Sequence, residues 1–347
     1  MKERAPQLAV TTMLDDAAAA KSLQRAAGAV EDFRGDYDRL AAMMQASWGE
    51  IPAASYLYTA DLLEDSFAYP GASRSLAPSI YHGRDLVAFA AGFPRRVAIA
   101  GVEHRIVIST YLTVAAGHKA AGYGIVVWSE LMRRAAAQGF VGAVNYCVDQ
   151  GEMDHMIGGC CRLLGLPLTK AASFFYLTRQ LDDSVPRAPT EARSDEADAN
   201  DLVEAARGLD VQLGISRLWT AAEAAWQLAR VDAVSAGKSS EDRPGVLTGY
   251  VMAFNNEARS RLLVVDDILW GDTSGDQRVG LVNDLLAQGA ALGASGAAVP
   301  LIGYADMRPF VTAGFLPSPH TMNAYLAHFS EVTAAHASRP GYYLDVQ

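Results

Sequence analysis

The stretch that decides the fold is VAAGHKAAGYGIVVWSELMRRAAAQG, residues 114–139. It follows RIVISTYLTV (residues 105–114), a run of β-branched and aromatic residues that predicts a strand. After glycines at 117, 122 and 124, apolar residues recur three and four apart, which predicts a helix over residues 123–138. A strand, a glycine loop and a helix in this order are typical of phosphate binding, because glycine admits backbone amides to an anion at the positive end of the helix.

Two familiar glycine loops do not match this stretch. A dinucleotide-binding loop needs G-x-G-x-x-G and an acidic residue ending the next strand, whereas the glycines here read G-x-x-x-x-G-x-G. A P-loop needs Gly-Lys-Ser/Thr, which this loop lacks. The ligand class therefore has to come from another pattern.

Composition excludes several classes of protein. The 347 residues carry a net charge of −10, which argues against a nucleic-acid partner because backbone binding needs a clustered basic surface. The three cysteines cannot form a disulfide framework, and the histidines show no metal-ligand spacing. No apolar run reaches the length of a membrane span, and the N-terminal segment MKERAPQLAVTTMLDD lacks an apolar core of signal-peptide length. We expect a cytoplasmic protein with no metal and no membrane partner, either a monomer or a homodimer.

The order of predicted elements repeats on either side of LDDSVPRAPTEARSDEADAN (residues 181–200), which is rich in charge and contains prolines. In each half, two helices precede a group of three strands, and a helix, a strand, a second helix and a last strand follow. We predict an α+β fold of two tandem domains, each a mixed, mostly antiparallel sheet flanked by helices. The expected bounds are an extension at 1–27, a first domain at 28–181, a linker at 182–198 and a second domain at 190–347.

The loop resembles the acetyl-coenzyme A loop of the GCN5-related N-acetyltransferase (GNAT) family. In that family a valine ends strand four, and a basic residue or glutamine, two further residues, Gly, any residue and Gly or Ala follow. Val114, Lys119, Gly122 and Gly124 match in register. The resemblance implies an acyl-CoA cosubstrate and the cofactor-binding residues Leu112, Thr113, Val114, Lys119, Ala120, Ala121, Gly122, Tyr123, Gly124 and Ile125.

The same resemblance implies transfer of an acetyl group to a small-molecule primary amine, which attacks the thioester directly. A general base takes the amine proton and an acid protonates the coenzyme thiolate. Cys161 stands where the family has its tyrosine acid, and it is equally a small core residue. The candidate bases are Glu103 and His155 first, then His104, Glu152 and Asp154; Tyr111 and Tyr146 are expected to line the cleft.

The second half departs from the pattern. Its corresponding loop is GDTSGDQRVG (residues 271–280), in which Asp272 and Asp276 would repel a pyrophosphate, and Phe310 stands at the tyrosine position. We expect the coenzyme to bind the first half alone. The missing tyrosine also leaves a second reading open, that of a non-catalytic acyl-CoA-binding or structural protein.

Overall fold

The computed structural model describes residues 29–48, 56–181, 197–207, 209, 213–240, 242–254, 260–336 and 342–344. The helices of this part are α1 Tyr37–Trp48, α2 Ala60–Phe67, α3 Tyr123–Ala137, α4 Glu152–Leu163, α5 Ala199–Ala206, α6 Ala221–Ala229, α7 Gly275–Ala291, α8 Arg308–Thr312 and α9 Glu331–His336. The strands are β1 Val30–Asp32, β2 Pro78–His82, β3 Asp85–Ile99, β4 Val102–Val114, β5 Gly142–Val148, β6 Leu168–Gln180, β7 Ile215–Arg217, β8 Ala233–Lys238, β9 Gly245–Ala253, β10 Arg261–Leu269, β11 Gly296–Pro300, β12 Leu316–His328 and β13 Tyr342–Tyr343.

The helices form where apolar spacing and capping residues agree. Helix α1 buries Leu40, Met43 and Met44, which lie three and four residues apart and therefore share one face. Thr59 caps α2 by accepting a hydrogen bond from the backbone N–H of Leu62. In β3, the run from residue 86 to 95 is buried on both faces, because helices cover both sides of the sheet there.

The described strands join in one sheet in the order β1-β2-β3-β4-β5-β12-β6-β11-β10-β9-β8, with β7 joining β3 to β13. Strand β4 runs parallel to β5, and β10 runs parallel to β11, so each half has the same parallel pair. Each half then gives its last long strand to the other, because β12 pairs with β5 and β6 pairs with β11. The two halves are therefore interlocked through β6 and β12, which pair with each other at the centre.

Both faces of the sheet carry helices. In the first half, α3 and α4 pack on one face around Trp128, Leu131 and Ile157. On the opposite face, α1 and α2 pack near the carboxyl end of β4, and β7 and β13 lie towards its start. In the second half, α7 and α8 cover the face that Leu263 and Val299 share, while α5 and α6 pack around Trp219 and Tyr343.

The predicted fold class is confirmed, and most predicted elements lie within a few residues of the observed ones. Two short strands, β7 and β13, and helix α9 were not predicted. The charged pair Arg95-Arg96 within an apolar run is typical of an exposed turn, but both residues lie inside β3. Arg95 is buried, with its guanidinium 4.0 Å from the ring centre of Tyr69. Most of the predicted linker at 182–198 lies outside the described residues.

Candidate functional site

The predicted phosphate-binding loop leads from β4 into α3. After Val114 the chain forms a short 3₁₀ helix, Ala116–Ala121, and reaches Gly122, whose φ of 72° is in the left-handed region that favours glycine. Gly122 is also the N-cap of α3, and it has no side chain to bond the first amides of that helix. A Cβ on Gly124 would lie 3.2 Å from Cγ2 of Val114, so a small residue is needed for the close approach. The amides and the dipole of α3 therefore present a positive site for an anion.

A cation and three flat side chains surround this loop. The ammonium of Lys119 donates to the backbone carbonyl of Ser47 at 3.2 Å, and its side chain is exposed. The ring of His118 stacks on that of Tyr123 with 5.9 Å between centres, and the Tyr123 hydroxyl lies 3.3 Å from Nε2 of His82. Positive charge and stacking surfaces thus lie beside the free helix terminus.

A gap opens between β4 and β5 at the same end of the sheet. These strands pair from Ile106 with Gly142 to Ser109 with Asn145, and no further pair joins them beyond that point among the described residues. On its other edge β4 has a β-bulge, since Thr110 pairs with Ala91 but Thr113 pairs with Phe89. Within the bulge Tyr111 has a φ of 57°, which is uncommon for a residue other than glycine. The gap and the bulge therefore lie at the end of β4 that leads into the loop.

The second half repeats this geometry without the free helix terminus. Strand β10 has the equivalent bulge at Asp266 and Asp267, because Val265 pairs with Gly249 and Ile268 with Leu247. Helix α7, however, begins with a capping box: Ser274 accepts from the backbone of Gln277, whose side chain in turn accepts from the backbone of Ser274. Asp276 adds a negative charge to its first turn. The first amides of α3 therefore have no side-chain cap, whereas α7 begins with a capping box made by the protein's own side chains.

Cys161 lies in the core under α3. Its side chain is almost completely buried beside Ile157 and Cys160. Burial, with a smaller contribution from Cys160, raises the pKa of the Cys161 thiol to about 11. This environment fits a small packing residue as well as it fits a proton donor.

The structure separates the two predicted bases. Glu103 lies near the start of β4, about 36 Å along the strand from Val114 at ~3.3 Å per residue. Its carboxylate pairs with Arg96 at 2.7 Å, and the hydrogen bond from that guanidinium lowers the pKa of Glu103. His155 lies in the first turn of α4, exposed, at the same end of the sheet as the loop. His155 therefore lies at the same end of the sheet as the gap, and Glu103 lies at the other end.

A polar network that the sequence did not predict joins α4 to the exchanged strand β12. Asp154 accepts from Nδ2 of Asn323 at 2.7 Å and from the hydroxyl of Tyr325 at 2.9 Å. Partial burial opposes ionisation of Asp154, but these hydrogen bonds outweigh it and lower the pKa of the carboxyl. Burial and the bond to Asp154 together raise the pKa of Tyr325 to about 12. Asp154 meets Asn323 and Tyr325 because β12 pairs with β5 of the first half, and the sequence alone does not reveal that pairing.

Tyrosines and charged groups meet between the halves, on the face opposite α3. Tyr58 and Tyr111 make an edge contact with ring centres 5.4 Å apart. Nearby, the buried guanidinium of Arg230 lies 3.8 Å from Asp65 of α2 and 3.8 Å from Asp266 of β10, and 4.2 Å from the ring centre of Tyr250. Two carboxylates thus surround one cation where the halves touch.

Asp267 lies beside this group at the second bulge. Its carboxylate accepts from Thr248 and from Tyr343, each at 2.7 Å. Burial first, and then the neighbouring Asp266 carboxylate, raise the pKa of Asp267 to about 7. Asp266 and Asp267 are thus the second-half equivalents of Tyr111 and Leu112, and they are acidic and buried.

Two further features of the described part of the chain concern metal binding and membrane crossing. No group of three or more His, Cys, Asp or Glu residues there is arranged to hold a metal ion. None of its helices combines the length and the apolar character that a membrane crossing requires.

Comparison with known proteins identifies the fold. No family model and no curated protein sequence matches the chain. Structures of Saccharomyces cerevisiae N-myristoyltransferase with bound myristoyl-CoA match with a TM-score of 0.68 and 13% identity, over 86% of this chain and 82% of that chain in one case. A GCN5-related N-acetyltransferase from Kribbella flavida matches with a TM-score of 0.50 and 16% identity, over 86% of this chain and 70% of that chain. The fold is therefore the one that these N-myristoyltransferase and N-acetyltransferase structures have.

Proposed function

We propose that this protein is an acyl-CoA-dependent N-acyltransferase that transfers an acetyl or other acyl group to a small-molecule amine. The observation that carries the proposal is the uncapped N-terminus of α3 at Gly122, which opens onto the gap between β4 and β5. A free helix terminus attracts a pyrophosphate, and a gap in the sheet gives the pantetheine arm a path to the bulge. The acyl-CoA structures of the yeast N-myristoyltransferase, with the same fold, are consistent with this ligand.

Each predicted cofactor-binding residue has a role in this proposal. The backbone from Ala120 to Ile125 supplies amides to the pyrophosphate, and Lys119 adds a charge. Backbone groups of Leu112, Thr113 and Val114 line the gap, where the bulge removes part of the strand from regular pairing. The thioester carbonyl is bonded there, which polarises it for attack.

The acceptor approaches from the opposite face, where the halves meet. Asp65 and Asp266 outnumber Arg230 in that cluster, and tyrosine rings lie around it. Net negative charge and aromatic faces both favour a cation, so a protonated amine is attracted before it loses its proton. The neutral amine then attacks the thioester carbon, the C–S bond breaks, and the thiolate takes up a proton. Among the predicted bases, His155 lies in the first turn of α4 at this end of the sheet, as do Glu152 and Asp154.

Release of free CoA thiol tests this function. Purified protein with acetyl-CoA should release thiol when a panel of primary amines is added, and mass spectrometry should detect an amine heavier by one acetyl group. Absence of CoA binding would refute the proposal. CoA binding without transfer to any amine or peptide acceptor would favour the second candidate, an acyl-CoA-binding protein without turnover, which the buried Cys161 at the tyrosine position supports.

A further inference from the structure

Asn145 has an unpaired donor deep in the first half. It lies on β5 with about 4% of its surface exposed, and its Oδ1 accepts a hydrogen bond from Nε1 of Trp128 at 2.9 Å. An indole N–H can only donate, so this bond fixes which way the amide points. Within the described part of the chain, Nδ2 of Asn145 has no hydrogen-bond partner.

Such a group is unusual, because buried amides are nearly always satisfied. Its neighbours on the same face are apolar: Ala143 and Cys147 alternate with it along β5, and Trp128 covers it from α3. The indole thus directs a single strong donor into apolar surroundings. An oxygen from a ligand would satisfy that donor.

The position of Asn145 indicates which part of a ligand reaches it. Asn145 pairs with Ser109 at the last paired position of β4 and β5, so it lies at the closed end of the gap. Gly122 lies at the open end, and the bulge at Tyr111 and Leu112 lies between the two. On the proposed function, phosphates bind at the open end and the thioester at the bulge, so the acyl group extends towards Asn145.

We propose that Asn145 is a specificity residue for the acyl donor, and that its Nδ2 donates to an oxygen carried by the acyl group beyond the thioester. This inference rests on the proposed function. It names oxo- or hydroxyacyl-CoA as the favoured class of donor. A saturated alkyl chain in the same place forms no hydrogen bond with the amide, so it binds about tenfold or more weakly than the oxygen-bearing chain.

Matched ligands and variants test the proposal. Calorimetry compares 3-oxoacyl-CoA with saturated acyl-CoA at four and at six carbons, with CoA itself as the reference. Wild type should bind the 3-oxo member of at least one pair about tenfold more tightly. Asn145→Leu should lose that preference while its affinity for CoA stays unchanged, and Asn145→Ala serves if the leucine does not fold. Trp128→Phe should reduce the preference, since the amide is then free to rotate.

The outcomes separate this inference from the function on which it rests. If wild type binds CoA and both members of each pair equally, or if Asn145→Leu keeps the preference, the role of Asn145 is refuted while the function stands. If wild type binds neither CoA nor any acyl-CoA, the proposed function fails and this inference fails with it.

Discussion

Gly122 and Ser274 occupy the same place in the two halves, each as the N-cap of the helix that follows a bulged strand, and only Ser274 caps its helix with a side chain. The difference decides where an anion can bind. At α3 the first amides face the loop, whereas at α7 the capping box already uses them. Because the two N-caps differ in this way, we propose one coenzyme site in the molecule, although its two halves are similar.

Ser274→Ala should destabilise the protein without affecting the coenzyme. Loss of the side-chain cap exposes an unpaired amide of α7 and lowers the free energy of unfolding by about 1 kcal/mol. Urea unfolding measures this change, and calorimetry with CoA should give the wild-type affinity. A tighter or weaker CoA affinity in this variant would place a coenzyme site in the second half.

Glu103→Gln should leave turnover unchanged. The carboxylate lies at the far end of β4 and only pairs with Arg96 on the surface, an interaction that contributes about 0.2–1 kcal/mol. Steady-state rates with any accepted amine check this expectation, and His155→Ala is the comparison because His155 lies at the loop end. A large loss of kcat in the glutamine variant would restore Glu103 as a candidate base.

Cys161→Ala distinguishes packing from proton donation. A buried sulfur in the core predicts a loss of roughly 1 kcal/mol in stability and little change in kcat. A fall in kcat of about tenfold to a thousandfold with unchanged acyl-CoA affinity would instead show that the thiol acts as the acid. Cys161→Ser, which keeps a donor of similar size, should show the same activity as alanine if packing is the whole role.

Asp267 should make stability fall as the pH rises from about 4 to about 7. Its folded pKa is raised to about 7, so between those values the folded state holds a proton that the unfolded state has released. Its contribution is complete in acid and is lost as the pH passes the folded pKa, with a slope of at most about 1.4 kcal/mol per pH unit. Urea unfolding of Asp267→Asn at several pH values should give a flatter profile than wild type. The exposed Asp276→Asn is the control, and parallel profiles for wild type and Asp267→Asn would contradict the assignment.

The sequence predicted the elements well because most carry strong local signals. Apolar residues at helical spacing marked α3 and α7, and β-branched runs marked β4 and β10. Strands β7 and β13 were missed because each has only two or three residues, and their pairing with distant segments creates them. The burial of Arg95 could not be predicted, because a charged pair within an apolar run resembles a turn.

The sequence could predict only those parts of the candidate site whose residues are consecutive in the chain. The loop from Val114 to Gly124 is a continuous motif, so its residues could be named in advance. The contact of Asp154 with Asn323 and Tyr325 depends on the exchange of β12 into the first half, which no local pattern encodes. Likewise, the buried position of Asn145 becomes informative only when its pairing with Ser109 and its bond to Trp128 are known.

Titration calorimetry of CoA into wild type, Gly122→Asp and Gly122→Asn tests the central claim most directly. Both side chains must adopt the positive φ of Gly122, which Asp and Asn tolerate similarly, so the two variants differ mainly in charge at the helix terminus. Gly275→Asp places the same charge at the start of α7 as a control in the second half. The account predicts that wild type and Gly275→Asp bind one CoA per chain, that Gly122→Asn binds it measurably, and that Gly122→Asp does not bind it. Equal CoA affinity in Gly122→Asp and Gly122→Asn would contradict it.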